Sequence, residues 1–290
     1  MQRRFVVLTF LSPAVGVVVM TVIYPLLFAL RTSFHEWNLT RSPTPGEFVG
    51  LKNYARAFAD PGFLNSVVIT AEFVFISVGL TVVIGLAMAL LLQKPGKFNT
   101  VLKTILIFPF ATAPLLKGYS WRFMVNPEYG IYDKILDFLF PPLANTVWLS
   151  HKFWALFTIA LSEIWGWAPI VALMFIGALG SISPEIFEAA KVDGATNWQL
   201  FWRVTLPLLW PVVVIVILLK SIYSVKIFDQ VVAMTGGGPG RATQTLNFFV
   251  YHVAFRTLDM GYASALAYIL LVVMAIFAFL YVRALLGKEA

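Results

Sequence analysis

The sequence predicts an all-α integral membrane protein with six transmembrane helices, and three observations lead to this fold class. Hydrophobic residues make up 60% of the 290 residues. Charged residues make up only 12%, half of the roughly 25% that is typical of globular proteins. Uninterrupted apolar stretches also recur at the length of about 20 residues that a helix needs to cross a bilayer. Such a chain cannot cover a water-exposed surface, so its solvent must be hydrocarbon.

Six apolar stretches are long enough to span a membrane, and we predict one transmembrane domain over residues 1–290. The first stretch is too long for the apolar region of a signal peptide and carries no small-residue cleavage site, so it is predicted to be a retained helix. The predicted spans lie near 5–30, 65–92, 99–121, 153–179, 206–228 and 263–286.

The orientation follows from the basic residues of the short loops, because cytoplasmic loops are enriched in Lys and Arg. With six spans, the basic residues of both termini and of the loop between the second and third spans lie on one side, which predicts that both termini are cytoplasmic. The formal net charge of +7 then reflects these loops rather than a nucleic-acid partner. The basic residues are Arg3, Arg4, Lys94, Lys97, Lys103, Arg283 and Lys288.

The sequence lacks the residues or motifs that several kinds of chemistry require. The chain has no cysteine, which excludes disulfides and thiolate metal sites. Its three histidines are far apart and lack metal-ligand spacing. No G-x-x-x-x-G-K-[ST] phosphate-binding loop is present. The glycine-rich run 235–240 lacks the lysine of such a loop and is predicted to be a turn. We therefore expect no metal and no cofactor in this chain.

A polar segment at 183–206 interrupts the apolar pattern and predicts a helix–turn–helix. Ser183 and Pro184 are typical of a helix start, and Gly194 suits a helix C-terminal cap. Thr196 followed by Gln199 predicts a capping box for a second helix. Two interpretations remain open from the residues alone: a connector on the membrane surface, or a docking site for a cytoplasmic partner.

The spacing of this segment resembles a known family. Glu-Ala-Ala at 188–190, three residues, Gly194, nine residues, Val204, one residue and then Leu-Pro at 206–207 resembles the signature loop of permease subunits of ATP-binding-cassette importers. Valine stands where isoleucine is more usual. Other stretches are similar to sugar permeases of the maltose and glycerol-phosphate type, particularly the maltose "F" kind: 11–37, 48–58, 126–136 and 228–246.

The resemblance implies the fold of a type I importer permease and a non-catalytic translocation subunit in a bacterial plasma (inner) membrane. It also implies several partners: a second homologous permease, two copies of an ATPase that bind ATP and Mg²⁺, an extracellular or periplasmic sugar-binding protein, and membrane lipid. In this family the loop docks into the ATPase and transmits its closure to the membrane helices. The corresponding residues are Glu188, Ala189, Ala190, Asp193, Gly194, Leu206 and Pro207.

Charged residues inside predicted spans are candidates for function because a charge in hydrocarbon is costly. Four such residues are Glu72, Lys117, Glu163 and Lys220. Each has a structural alternative: Glu163 could pair with Lys220 as a bridge, and Lys117 could extend its ammonium outward to the membrane surface. The residues alone leave both readings open.

The resemblance also implies where the solute is contacted, on the helices just before and after the loop. The corresponding residues are Gly166, Trp167, Ile170, Lys220, Tyr223, Ser224 and Ile227. Aromatic faces such as Trp167 and Tyr223 suit the apolar faces of sugar rings. Lys220, together with Lys117, favours an anionic sugar that is sulfonated, acidic or phosphorylated. If Glu163 neutralises Lys220, a neutral oligosaccharide or polyol is favoured instead.

Two other classes of protein compete with this interpretation. An ion-coupled secondary transporter could use Glu72, Glu163 and Lys220, but it predicts two related halves with broken helices and leaves 184–206 without a role. A membrane enzyme could use Glu163 or Asp229 as an acid or base. No nucleophile, base and orienting group occur at a recognisable spacing, which disfavours the enzyme.

Overall fold

The computed structural model describes residues 11–139, 141 and 146–286. Within this part of the chain the regular secondary structure is helical, without any strand, which confirms the all-α fold class. Its helices are α1 (Leu11–Ser33), α2 (Lys52–Ala59), α3 (Pro61–Leu92), α4 (Lys97–Ala111), α5 (Pro114–Met124), α6 (Ile131–Leu139), α7 (Lys152–Gly180), α8 (Pro184–Val192), α9 (Asn197–Val225), α10 (Asp229–Met234), α11 (Leu246–Phe255) and α12 (Met260–Leu286).

Five of these helices are long and apolar enough to cross a membrane, namely α1, α3, α7, α9 and α12. The number becomes six if the bent pair α4–α5 counts as one span. The helix α9 begins well before the predicted span at 206–228, because the second helix of the polar segment continues into it. Residues 5–10 of the first predicted span, together with Arg3, Arg4 and Lys288, lie outside the described residues.

The third predicted span, 99–121, is not one continuous helix. It consists of α4 and α5, which meet at an angle of 98°. Thr112 and Ala113 between them have extended backbone, with ψ angles of 130° and 134°. Pro114 explains the break, because proline donates no backbone hydrogen bond and forces the preceding residue out of the helical region. The pattern of apolar residues predicted helical structure in this region but not its interruption.

Two long helices contain a single π turn directly before a proline. In α1 the turn covers Val19–Ile23 and precedes Pro25; in α9 it covers Phe201–Thr205 and precedes Pro207. The ring of a proline clashes with the carbonyl four residues earlier. A wider turn avoids this clash, so both helices continue instead of ending.

The chain divides into two compact units. One comprises the described residues of Met1–Leu64 and Phe249–Val273, and the other those of Asn65–Phe248 and Met274–Ala290. In the first unit, the buried amide of Asn53 donates to the carbonyls of Ser33 (2.9 Å) and His35 (3.0 Å). Arg56 in the same unit forms an ion pair of 2.7 Å with Asp259. These polar contacts connect α2 to the end of α1 and to the start of α12.

The second unit is organised around α7, which contributes to two hydrophobic clusters. In the first cluster, α7 packs with α3, α5 and α10 through buried side chains such as Phe73, Ile159 and Val231. In the second cluster it packs with α3 and α9 through side chains such as Phe175 and Leu209. Because both clusters share α7, this helix holds α5, α9 and α10 around its middle.

The polar segment 183–206 forms the predicted helix–turn–helix. Ser183 occupies the N-cap position of α8, although its side chain makes no capping hydrogen bond. Gly194 ends α8 with a φ of +81°, a conformation that favours glycine. At the start of α9, Thr196 N–H donates to Gln199 Oε1 (2.9 Å) and Gln199 N–H donates to Thr196 Oγ1 (3.3 Å). The capping box is confirmed.

The glycine-rich run 235–240 is a turn, as predicted. Gly236, Gly237 and Gly240 all have positive φ angles, which the missing Cβ permits. The hydroxyl of Thr243 donates to the carbonyl of Gly238 at 2.8 Å and closes the turn.

The close contact of α5 with α10 leads to a first prediction, for Gly118→Ala. A β-carbon at Gly118 would lie 2.6 Å from Ala233 Cβ and 3.2 Å from Gln230 Cα, so α10 would have to move. Overpacking of this kind costs about 1–3 kcal/mol. We expect a lower melting temperature for the purified protein in detergent.

Gly177→Ala in α7 is the matched control, because no atom lies within 4 Å of a β-carbon there and alanine gains the same helix propensity. Equal melting temperatures for the two variants would contradict the packing described for α5 and α10.

Candidate functional site

A cleft of about 390 Å³ opens within the second unit, at the break between α4 and α5. It faces the middle of α7, the end of α9 and the start of α10. Its walls combine aromatic rings with a few charged and amide groups, which is typical of small-molecule sites. The lining residues are Phe110, Thr112, Pro114, Lys117, Glu163, Trp167, Tyr223, Lys226, Ile227, Phe228, Asp229 and Gln230.

Glu163 lies at the centre of a buried polar network next to the cleft. Its Oε1 accepts an ion-paired hydrogen bond of 3.0 Å from Lys220 Nζ, and its Oε2 accepts one of 2.7 Å from Gln230 Nε2. The three side chains are 5%, 0% and 3% exposed. A buried carboxylate is tolerated when its oxygens are matched in this way. The network therefore connects α7, α9 and α10.

The same place carries an aromatic wall. The ring centroids of Trp167 and Tyr223 are 4.6 Å apart, and Phe110 meets Trp167 edge-on at 5.3 Å. Lys220 Nζ lies 5.1 Å from the centre of the Trp167 ring, within cation–π range. The wall offers flat apolar faces beside charged groups, a combination that can hold a ring bearing hydroxyl groups.

Lys117 is the second buried cation of the cleft, and its side chain is only 4% exposed. It packs against Gly166, where a β-carbon would clash with Lys117 Nζ. Glycine at 166 therefore gives the lysine its room. Two further charges, Lys226 and Asp229, complete the lining.

The structure brings most of the predicted solute-path residues to this place. Lys117, Glu163, Trp167, Tyr223 and Ile227 line the cleft. Lys220 and Gly166 lie directly behind it, in contact with Glu163 and Lys117.

Three other residues that the sequence singled out do not line the cleft. Ile170 packs in the second hydrophobic cluster. Ser224 is fully buried, and its hydroxyl has no hydrogen-bond partner among the described residues. Glu72 is exposed on α3.

Sequence reasoning missed the lining residues that arrive from the helix break and from α10. Thr112 and Pro114 belong to the break, and the two prolines at 109 and 114 were a local signal for it. Gln230 gave no signal, because only the packing of α10 brings it to Glu163. Among the described residues, no group of three or more His, Cys, Asp or Glu side chains could hold a metal ion.

Most of the residues predicted to contact an ATPase lie at the other end of α9, around the turn after α8, whereas Leu206 and Pro207 lie within α9 itself. Glu188, Ala189, Asp193 and Gly194 are exposed. Apolar side chains accompany them, with Val192 87% and Trp198 71% exposed. We call the polar segment 183–206 the elbow. Exposed apolar groups of this size on such a segment are typical of an interaction surface.

The buried ion pair leads to a second prediction. Glu163→Gln leaves the ammonium of Lys220 without its counter-charge, and breaking a buried pair costs about 3–5 kcal/mol. We expect a much lower melting temperature for this variant in detergent. The double variant Glu163→Gln/Lys220→Met should recover part of the loss, because no unpaired charge remains.

Glu36→Gln is the matched control, since it removes the same charge from a solvent-exposed pair with Arg41 and exposed pairs contribute little. If the effects of Glu163→Gln and Lys220→Met simply add in the double variant, the two groups do not act as a pair.

Comparison with known proteins identifies the chain. Residues 81–288 match the family described as binding-protein-dependent transport system inner membrane component. The chain is 32% identical to the trehalose/maltose transport system permease protein MalF of Thermococcus litoralis, over 93% of this chain and 90% of that protein. It is also 32% identical to the sulfoquinovosyl glycerol transport system permease protein SmoG of Agrobacterium fabrum, over 99% and 92%.

The fold has solved counterparts. A chain of a bacterial alginate ABC transporter, crystallised with an alginate pentasaccharide-bound periplasmic protein, superposes with a TM-score of 0.80 at 17% identity, over 97% of this chain and 93% of that one. These matches confirm the resemblance to permease subunits, which are translocation components rather than enzymes. The chain belongs to the family of binding-protein-dependent transport system inner membrane components.

Proposed function

We propose that this chain is a membrane-spanning permease subunit of an ATP-driven importer and that it moves a sugar or sugar derivative through the cleft beside Glu163. The observation that carries the proposal is the 32% identity, over almost the whole chain, to permeases named for trehalose, maltose and sulfoquinovosyl glycerol. The aromatic wall of Trp167, Tyr223 and Phe110 supports it, because sugar rings stack on such faces.

The proposal includes the partners that the family implies. A second homologous permease would complete the pore, and two ATPase copies would bind ATP and Mg²⁺ outside this chain. A binding protein would deliver the solute from the periplasm or the cell exterior. The chain would lie in the bacterial plasma membrane with both termini in the cytoplasm, consistent with the basic residues of its short loops.

Force would enter through the segment 183–206. Its exposed residues suit contact with the ATPase, and α9 runs without a break from Asn197 at this elbow to Val225 at the cleft. A displacement of the elbow would therefore move Lys220 and Tyr223 as part of the same helix. This continuity supports alternating access driven from the elbow.

The charge of Lys220 does not by itself identify the solute as an anion. Its ammonium is paired with Glu163 at 3.0 Å, so the charge is largely neutralised. On this residue alone, a neutral oligosaccharide or polyol is favoured over an acidic sugar. The choice between a neutral and an acidic solute therefore depends on the other charged residues of the cleft.

The test is reconstitution of the full transporter in proteoliposomes. We expect sugar uptake only when this chain, its partner permease, the ATPase and the binding protein are present with ATP. Uptake by the purified chain alone, driven by an ion gradient, would contradict the proposal and favour a secondary transporter.

A third prediction concerns the elbow. Gly194→Val places a β-branched residue at a φ of +81°, which is strongly disfavoured, so the turn between α8 and α9 should change direction. We expect ATP-driven uptake to fall at least about fivefold, since strain of about 1–3 kcal/mol disfavours the native turn by this factor or more.

Gly180→Val at the end of α7 is the control, because Gly180 has neither a positive φ nor an atom within 4 Å of a β-carbon. ATP hydrolysis should be measured in the same samples. Equal uptake by the two variants would argue against force transfer through this turn.

A further inference from the structure

The two buried lysines at the cleft differ in whether their charge has a partner and in whether they line the cleft. Lys220 is fully buried and its charge is matched by Glu163. Lys117 is 4% exposed, yet in the part of the chain that the structure describes its ammonium makes neither a hydrogen bond nor an ion pair. It lines the open cleft directly, whereas Lys220 lies behind the wall.

Among residues 11–139, 141 and 146–286, no carboxylate forms an ion pair with this ammonium. The nearby carboxylate of Glu163 attracts it without a direct contact, and that carboxylate accepts hydrogen bonds from Lys220 and Gln230. Removing a charge from water without a partner is costly. An anion that reaches Lys117 from the cleft would supply the missing counter-charge.

The net charge of the groups around the cleft also favours an anionic solute. The cations are Lys117, Lys220 and Lys226, and the anions are Glu163 and Asp229. Three positive charges against two negative charges leave an excess of one positive charge. A solute with one negative charge would balance the cleft, whereas a neutral solute would leave the excess in place.

We infer that Lys117 is a specificity-determining residue that binds an anionic group of the transported solute, so that the substrate class is an acidic sugar with a carboxylate, sulfonate or phosphate group. This inference rests on the proposed function. The aromatic wall of Trp167 and Tyr223 would hold the sugar ring, and Lys117 would bind the charged group beside it. Gly166 is part of this site because any side chain there would occupy the space of the ammonium.

The experiment uses the complete transporter in proteoliposomes, loaded with its binding protein. A panel of mono- to tetrasaccharides, each in uncharged, uronate, sulfonate and phosphate forms, is first screened for binding to that protein. Uptake is then measured for the tightest anionic probe and its uncharged counterpart. We expect the wild type to prefer the anionic form, and Lys117→Met to raise the KM for that form about tenfold or more, as expected for loss of a charge-assisted hydrogen bond.

Lys134→Met is the matched control, because it removes the same charge from an exposed position on α6, outside the cleft. Copurification of the ATPase with each variant reports whether the transporter assembles. A defect in assembly would lower the uptake of every probe, so it would not explain a KM increase that is limited to anionic probes. Lys117→Arg should retain part of the preference, since it keeps the charge.

Each remaining outcome overturns the inference in a recognisable way. If the wild type moves uncharged sugars but no anionic form, the inference fails while the proposed function stands. If Lys117→Met weakens both forms equally, Lys117 binds hydroxyl groups and does not select for charge. If no sugar of any form is transported, the proposed function fails and the inference fails with it.

Discussion

The carboxylate of Glu163 is the constraint on which the second unit depends. It lies in the middle of an apolar span and is 5% exposed, so it is tolerated only when both of its oxygens are matched. Lys220 on α9 satisfies one oxygen and Gln230 on α10 satisfies the other. Three helices that carry different parts of the chain are thereby fixed at one depth, and the cleft opens beside their meeting point.

In this arrangement, some charged side chains hold the helices together, whereas others remain free to bind a solute. Because Lys220 is paired with Glu163, it is part of the buried polar network. Lys117 instead lines the cleft beside Gly166 and has room for a partner. The break between α4 and α5 contributes to the same cleft, because Thr112 and Pro114 from the break line its wall together with Lys117. Under the proposed function, α9 connects this buried network to the turn at Gly194 through one helix, which begins at Asn197.

The sequence predicted the individual helices and turns better than the side-chain contacts between them. The apolar stretches predicted where long apolar helices lie, and the local chemistry of Thr196, Gln199 and Gly194 predicted the turn between α8 and α9, because capping and glycine turns depend on near neighbours. The pair of Glu163 with Lys220 could only be left open, since the two are 57 residues apart and their meeting depends on helix packing. Gln230 was missed for the same reason. Of the solute contacts that the family resemblance predicted, Trp167 and Tyr223 line the cleft, whereas Ile170 packs into the apolar cluster.

The central claim is that the cleft beside Glu163 is exposed to alternate sides of the membrane as the elbow moves. The chain has no cysteine, so Tyr223→Cys introduces a unique thiol at a half-exposed position of the cleft wall. Its rate of reaction with a membrane-impermeant maleimide can be measured from each side of proteoliposomes, with cysteine-free partner subunits. The account predicts that the reactive side reverses between the nucleotide-free transporter and one trapped with ATP. Reaction from the same side at the same rate in both states would contradict it.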